Sequence, residues 1–179
     1  MANRSIKFKV LSVALLPLVL TAIAITFLAT SQSEQMSEKN QEQLRVSLFT
    51  EKKAQLDSFI ELAITSVANA KSDEAKKTIL RNLRYQQGSN YFFVYDTKGN
   101  QVVSADSPER EGKNFLNSKS PQGRYLVKEY IEQARNGGGY VEYTWPKPNS
   151  SKPSPKLAKA VMIPGTNWII ATGFYIDEL

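Results

Sequence analysis

The sequence predicts an α+β fold: an N-terminal transmembrane helix, a long amphipathic helix, then a five-stranded antiparallel sheet with flanking helices. Three observations carry this. Residues 10–30 hold no charged side chain. Residues 32–70 hold neither proline nor glycine. From Tyr91 onward the apolar residues fall into strand-like runs separated by turn signals.

The elements follow in chain order. Residues 1–9 carry Arg4, Lys7 and Lys9 and no acid, which reads as a cytoplasmic basic segment. Val10 to Thr30 is a 21-residue uncharged stretch, and an α-helix of about 20 residues crosses the hydrocarbon layer. Pro17 lies within it, as membrane helices tolerate. The basic flank before it and Glu34, Glu38 and Glu42 after it put the N-terminus inside and everything from residue 31 outside. A cleaved secretory signal is the alternative, but its apolar core is usually about 7–15 residues. Residues 31–70 form the long helix, with Val46, Phe49, Leu56, Ile60, Ala63, Val67 and Ala70 on one stripe interrupted by Lys53. That stripe packs on its own domain or pairs with a second copy of the chain.

Residues 71–179 make up the remaining domain. Ser72-Asp73 caps a short helix with Ala75, Ile79 and Leu83 on one face and Gly88 as its stop. Tyr91–Tyr95 and Gln101–Ser104 form a hairpin across Asp96-Thr97-Lys98-Gly99, the glycine supplying a positive φ. Residues 106–120 read as a polar loop. Ser120-Pro121 is expected to open a helix that presents Leu126, Val127, Tyr130, Ile131 and Ala134 and ends at Gly137. Tyr140–Trp145 alternates as a strand, and Pro146 to Pro155 is a proline-rich loop that does not belong in a strand interior. Lys156–Ile163 and Trp168–Tyr175 are the last two strands, joined by a turn at 164–167.

Composition closes off several chemistries. The chain has no cysteine and no histidine. Disulfides, thiolate metal sites, zinc centres and every imidazole mechanism are thereby excluded. The net charge of +6 comes from 23 bases and 17 acids, and half of it sits in the first nine residues. A nearly balanced folded part gives no nucleic-acid footprint. No cofactor is expected.

Five strings in order carry a family resemblance: YFFVYDTKGN, Gly112-Lys113-Asn114, GGGYVEYTWPKP, Pro155-Lys156 and NWIIATGFYIDE. Together they closely resemble the single Cache domains of bacterial chemoreceptors and sensor kinases, over about residues 36–179. The resemblance implies a PAS-like sheet held outside the inner membrane by the preceding helix. It implies a bound small molecule, often a short-chain carboxylate such as acetate, propionate, pyruvate or lactate, and no catalysis. It also implies that occupancy is passed across the membrane to a kinase-controlling module. Receptors of this kind continue into a second membrane helix, whereas the sequence ends at Leu179, so signal output is not argued from these residues.

A carboxylate site needs strong cationic donors, hydroxyls to orient the oxygens and apolar walls. Arg84 ends the short helix, and its planar fork matches a carboxylate; Arg81 is the fallback. Tyr91 and Phe93 share one face of the first strand, and Tyr143 and Trp145 share one face of the third. Each pair is either pocket wall or core, and the second could instead lie under the long helix. The resemblance places a functional lysine at Lys156, while Lys147 and Lys159 read as surface charge. Trp168 and Thr172 read as core. Two other functions compete. An exported enzyme would have to use Asp96, Asp106, Glu142 or Asp177, among which no nucleophile–base pairing is visible. A ligand-free dimerisation module would use the helical stripe.

Overall fold

The computed structural model describes residues 6–88, 90–147, 150 and 152–178. Helix α1 runs Ile6–Ala68 as one element. The chain divides into two units, residues 1–47 and 48–179. The described residues of the first unit all belong to α1, and Leu18, Ile23 and Phe27 there are 64%, 60% and 72% exposed. Among the described residues no helix is long and apolar enough to cross a membrane. The predicted span falls partly outside that description, since nothing is described of the side chains of residues 10–14, 16 and 29.

The second unit is the α+β domain. Its further elements are α2 (Asp73–Asn82), β1 (Arg84–Tyr85), β2 (Asn90–Tyr91), β3 (Phe93–Asp96), β4 (Gln101–Ser104), α3 (Leu126–Arg135), β5 (Gly139–Pro146), β6 (Pro153–Met162) and β7 (Trp168–Tyr175). Five of the strands form one antiparallel sheet in the order β4-β3-β7-β6-β5, and β1-β2 is a separate hairpin. The β3–β4 turn forms as its residues dictate. Gly99 has φ +86°, and a methyl group there would meet Leu116 Cβ at 2.6 Å. Asp96 Oδ1 accepts from the Lys98 and Asn100 amides at 2.9 and 2.8 Å, which closes the turn by the Asx mechanism.

Strand alternation sends the core to two faces. Phe92, Val94, Val103, Trp168 and Ile170 pack with Leu80 of α2 and with Ile60, Ala63 and Val67 of α1. The predicted α1 stripe is therefore buried from Leu56 to Val67, while Val46, in the first unit, is exposed. Lys53 interrupts the stripe, its ammonium lying 5.0 Å from the centroids of both Phe49 and Tyr140. Tyr91, Phe93, Tyr95, Tyr143, Ala160 and Ala171 face the other way, toward Leu126, Val127, Tyr130, Ile131 and Ala134 of α3.

Four elements differ from expectation. The strand expected over Tyr91–Tyr95 is broken at Phe92, with Tyr91 in β2 and Phe93–Tyr95 in β3, in different sheets. Helix α2 stops at Asn82 rather than reaching Gly88, because Leu83 is extended and β1 turns back onto β2. The turn uses positive φ at Gln86, Gln87 and Gly88. Ser120-Pro121 opens no helix: Ser120 and Arg124 close a tight turn through Ser120 N–H to the Arg124 carbonyl (2.8 Å) with Gly123 at φ +79°, and α3 begins at Leu126. Pro153 and Pro155 lie inside β6, paired with Pro146 and Thr144. Strand β7 pairs with β6 only from Lys156 onward. The prolines therefore sit where β6 has one neighbour, and their missing N–H groups disturb no second ladder.

Candidate functional site

A cavity of about 220 Å³ opens on the α3 face of the sheet, lined by side chains from β2 to β5, α3 and the 106–120 segment. Its floor is aromatic. Neighbouring ring centroids run Tyr91–Phe93 at 6.4 Å, Phe93–Tyr130 at 5.4 Å, Tyr130–Tyr143 at 5.9 Å and Tyr143–Trp145 at 6.2 Å. These spacings are those of tilted and edge-on aromatic pairs, which hold one another's orientation. The floor is also polar, since each tyrosine brings a hydroxyl. Tyr130 and Tyr143 are hydrogen-bonded to each other. Burial pushes both far above the ordinary phenol range, and Tyr91 likewise, with the Asp106 carboxylate adding to the rise. All of them stay protonated donors at neutral pH.

Arg110 supplies the cation. It ends a single 3₁₀ turn, Pro108–Arg110, and its guanidinium carbon lies 3.9 Å from the Phe115 centroid and 6.0 Å from that of Trp145. Nε donates to Gln101 Oε1 at 3.1 Å, and Gln101 is buried. Tyr95 is raised by burial and pulled back toward ionisation by Arg110 and Gln101, to both of which its hydroxyl is bonded. A stacked, hydrogen-bonded guanidinium is fixed before any ligand arrives. The lining carries two cations, Arg110 and Lys119, and one acid, Asp106, which leaves one net positive charge for a single anion to balance.

Four of the six predicted residues line the cavity together: Tyr91, Phe93, Tyr143 and Trp145. Tyr143 and Trp145 lie on the α3 face and not under the long helix. Lys156 is one layer back. It is 2% exposed, and its ammonium is 4.8 Å from the centroids of Tyr91 and Tyr175. Arg84 is not brought to the cavity. It is exposed and outside the lining, because the β1 extension that ends α2 early turns its guanidinium to the Ala105 carbonyl at 2.6 Å. The fallback, Arg81, is held in an ion pair with Glu111. Trp168 and Thr172 are core, as expected. Missed were Arg110, Tyr95, Tyr130 and the Phe115 wall. One signal pointed to the loop: Phe115 is the single aromatic of residues 106–120, and a lone aromatic in a polar loop has to be covered by something.

The family model of the Cache domain matches residues 65–179. The chain belongs to the Cache domain family. Among curated relatives, the sensor histidine kinase MctS of Rhizobium johnstonii is 30% identical over 98% of this chain and 40% of its own length. The methyl-accepting chemotaxis protein CtpM of Pseudomonas aeruginosa is 29% identical over 99% of this chain and 33% of its own. The chain thus spans well under half of either relative. Among solved structures, a methyl-accepting chemotaxis protein of Vibrio parahaemolyticus superposes with TM-score 0.68 at 27% identity, over 75% of this chain and 95% of that one. A periplasmic sensor domain of a chemotaxis protein gives 0.65 at 30%, over 72% and 98%. A Cache chemosensory domain solved for carboxylic acid recognition shares the fold, with TM-score 0.64 at 24% over 73% and 97%. These relatives are a sensor kinase and a chemoreceptor.

Proposed function

We propose that residues 31–179 are the extracytoplasmic sensor domain of an inner-membrane receptor and that the cavity binds a small monocarboxylate. One observation carries the reading: a fixed guanidinium, Arg110, stands over an aromatic floor rich in hydroxyls, in a hollow of about 220 Å³. That volume lies below the roughly 300–1,000 Å³ of drug-sized sites, which favours ligands of a few carbons. Asp106 in the lining would repel a second carboxylate, which favours one over two. Tyr91, Phe93, Tyr143 and Trp145 then serve as walls and donors, and Lys156 steadies the Tyr91 ring from behind as a buried point charge. The solved domain that recognises a carboxylic acid adds support at the level of fold.

Anchoring by residues 10–30 completes the reading. The exposed Leu18, Ile23 and Phe27 are the kind of surface that lipid covers, and the basic flank sets the orientation. The relatives suggest the output, a histidine kinase or a chemotaxis signalling part. Helix α1 offers a surface on which a second copy could pair.

The test is a melting screen of the full chain in detergent micelles against acetate, propionate, pyruvate and lactate, with amino acids, amines and urea as contrasts. An acid at a hundred times its dissociation constant stabilises by about 2.7 kcal/mol. Arg110→Ala should weaken the best acid by about 1.5–3 kcal/mol, the range for a bond to a charged group, while Arg84→Ala should leave it within about twofold, a few tenths of a kcal/mol. Flat melts for all four acids would remove the functional reading.

A further inference from the structure

Arg110 and Glu111 are consecutive, yet they serve opposite faces of the sheet. The turn that carries them straddles the outer edge of β4. Gly112 N–H donates to the Gln101 carbonyl at 2.8 Å, and Gln101 N–H donates to that of Lys113 at 2.9 Å. Arg110 points to the cavity on the α3 side. Glu111 points to α2, whose Leu80 belongs to the α1-side core.

Glu111 is unusually well held. Arg81 Nε and Nη2 donate to its two carboxylate oxygens at 3.1 and 2.6 Å, and the Ser104 backbone N–H adds a third bond at 2.9 Å. The pair is only partly exposed, 32% and 20% at the side chains. A bidentate arginine–carboxylate pair fixes direction as well as distance. With its carboxylate tied to α2 and to β4, Glu111 has one orientation, and the residue before it is then committed to the other side of the strand.

We propose that the Arg81–Glu111 pair is the positioning clamp of this cavity: it locks the 108–112 turn over β4 so that Arg110 is presented to the ligand, and it makes the placement of that cation depend on helix α2. The clamp rests on the reading of the cavity as the ligand site, but its mechanical half can be tested without any ligand. Neither Arg81 nor Glu111 touches the bound molecule in this account. Both act through Arg110.

The test reads Arg110 directly. In the ¹⁵N-labelled full chain in detergent micelles, the Arg110 Nε–H bonded to Gln101 should give an exchange-protected signal, assigned by its loss in Arg110→Lys. Glu111→Gln and, separately, Arg81→Gln should abolish that protection while the indole signals of Trp145 and Trp168 stay dispersed. Glu111→Asp, which keeps the charge on a shorter arm, should restore part of it. An unchanged Arg110 signal in folded Glu111→Gln and Arg81→Gln would overturn the clamp, whatever the ligand. Arg81→Lys serves as the milder variant if either of those fails to fold, with partial loss of protection expected and full retention counting against the clamp. The second readout uses the four acids of the melting screen. Glu111→Gln should weaken the best of them about fivefold in the parent chain and not at all in an Arg110→Ala background, where nothing remains to be positioned. Equal losses in both backgrounds would make Glu111 a direct or purely structural contributor. Should no acid bind the parent chain, the functional reading falls, and the Arg110 signal still decides the clamp.

Discussion

Thr172 offers the sharpest test of how the cavity's first strand is held. Its side chain is fully buried. Oγ1 donates to the Tyr91 carbonyl at 2.8 Å and lies 2.7 Å from the Tyr85 hydroxyl. A hydroxyl has one proton to give. With that proton on Tyr91, Tyr85 gives its own proton to Thr172, and the Gly173 carbonyl at 3.2 Å is a longer, competing acceptor for the same proton. Burial pushes the Tyr85 phenol up to about 12, so the donor stays protonated. Thr172→Val keeps the branched shape and removes both bonds. A buried polar group left without its partner costs about 1–3 kcal/mol, which sets the expected loss of unfolding free energy at about 2 kcal/mol. Tyr85→Phe removes one bond and leaves Thr172 on Tyr91, so about 1 kcal/mol is expected. The two changes share a bond. The double variant should therefore cost about 2 kcal/mol rather than 3, a coupling of about 1 kcal/mol. Urea unfolding followed by circular dichroism measures all four corners of the cycle. Additivity within about 0.5 kcal/mol, or a Thr172→Val variant as stable as the parent, would show that the three residues are not one network.

Gly173→Ala should destabilise by about 1–3 kcal/mol, read by the same unfolding curve, since a methyl group there would overlap the Leu157 carbonyl oxygen and sit 2.9 Å from Ala158 Cα. Lys156→Met takes away a buried ammonium that lies 4.8 Å from the centroids of Tyr91 and Tyr175. The same change should weaken the best acid about tenfold by titration, roughly 1.4 kcal/mol; a stability loss without an affinity loss would make Lys156 structural. Alkaline pH should unfold the domain. Tyr91, Tyr130 and Tyr143 titrate above their ordinary value of 10.0 when folded, so their contribution is complete below pH 10 and is lost as pH rises beyond it, where the unfolded chain ionises and the folded one does not. Phenolate absorbance should then appear together with the loss of circular dichroism, not before it.

Much of this domain was legible because its side-chain periods were clean. Alternation alone put Tyr91 and Phe93 on one face and Phe92 and Val94 on the other, and the two cores bear that division out. Continuing the same rule one step places Tyr95 in the cavity as well. The 106–120 segment was illegible for a physical reason. It has no period, and its conformation is set by pairing with the outer edge of β4 through backbone groups that any residue supplies. Which way Arg110 points follows from the tie on Glu111, a contact with a helix 30 positions away. Arg84 shows the converse case. It was read as the end of the short helix, whereas α2 stops at Asn82 and Arg84 opens β1; its direction depends on β1 turning back onto β2, through positive φ at Gln86 and Gln87, which carry no glycine to announce it.

The same alternation bears on transmission. Tyr91 and Phe93 line the cavity, and the residue between them, Phe92, belongs to the core shared with α1. Tyr85, bonded to Thr172, stacks on Phe59 of α1 with ring centroids 4.2 Å apart and lies 5.7 Å from Phe92. From Tyr91 the contacts run through its carbonyl to Thr172, then to Tyr85, then to Phe59, within the second unit throughout. Such continuity is spatial, and energetic coupling has to be measured. Running the Thr172–Tyr85 cycle with and without saturating acid separates the two. If occupancy pulls on this chain, the coupling energy changes on binding. A coupling that is the same in both states would mean that the network only holds the sheet together and that any signal leaves the cavity by another route, with the α2 clamp the next contact to test.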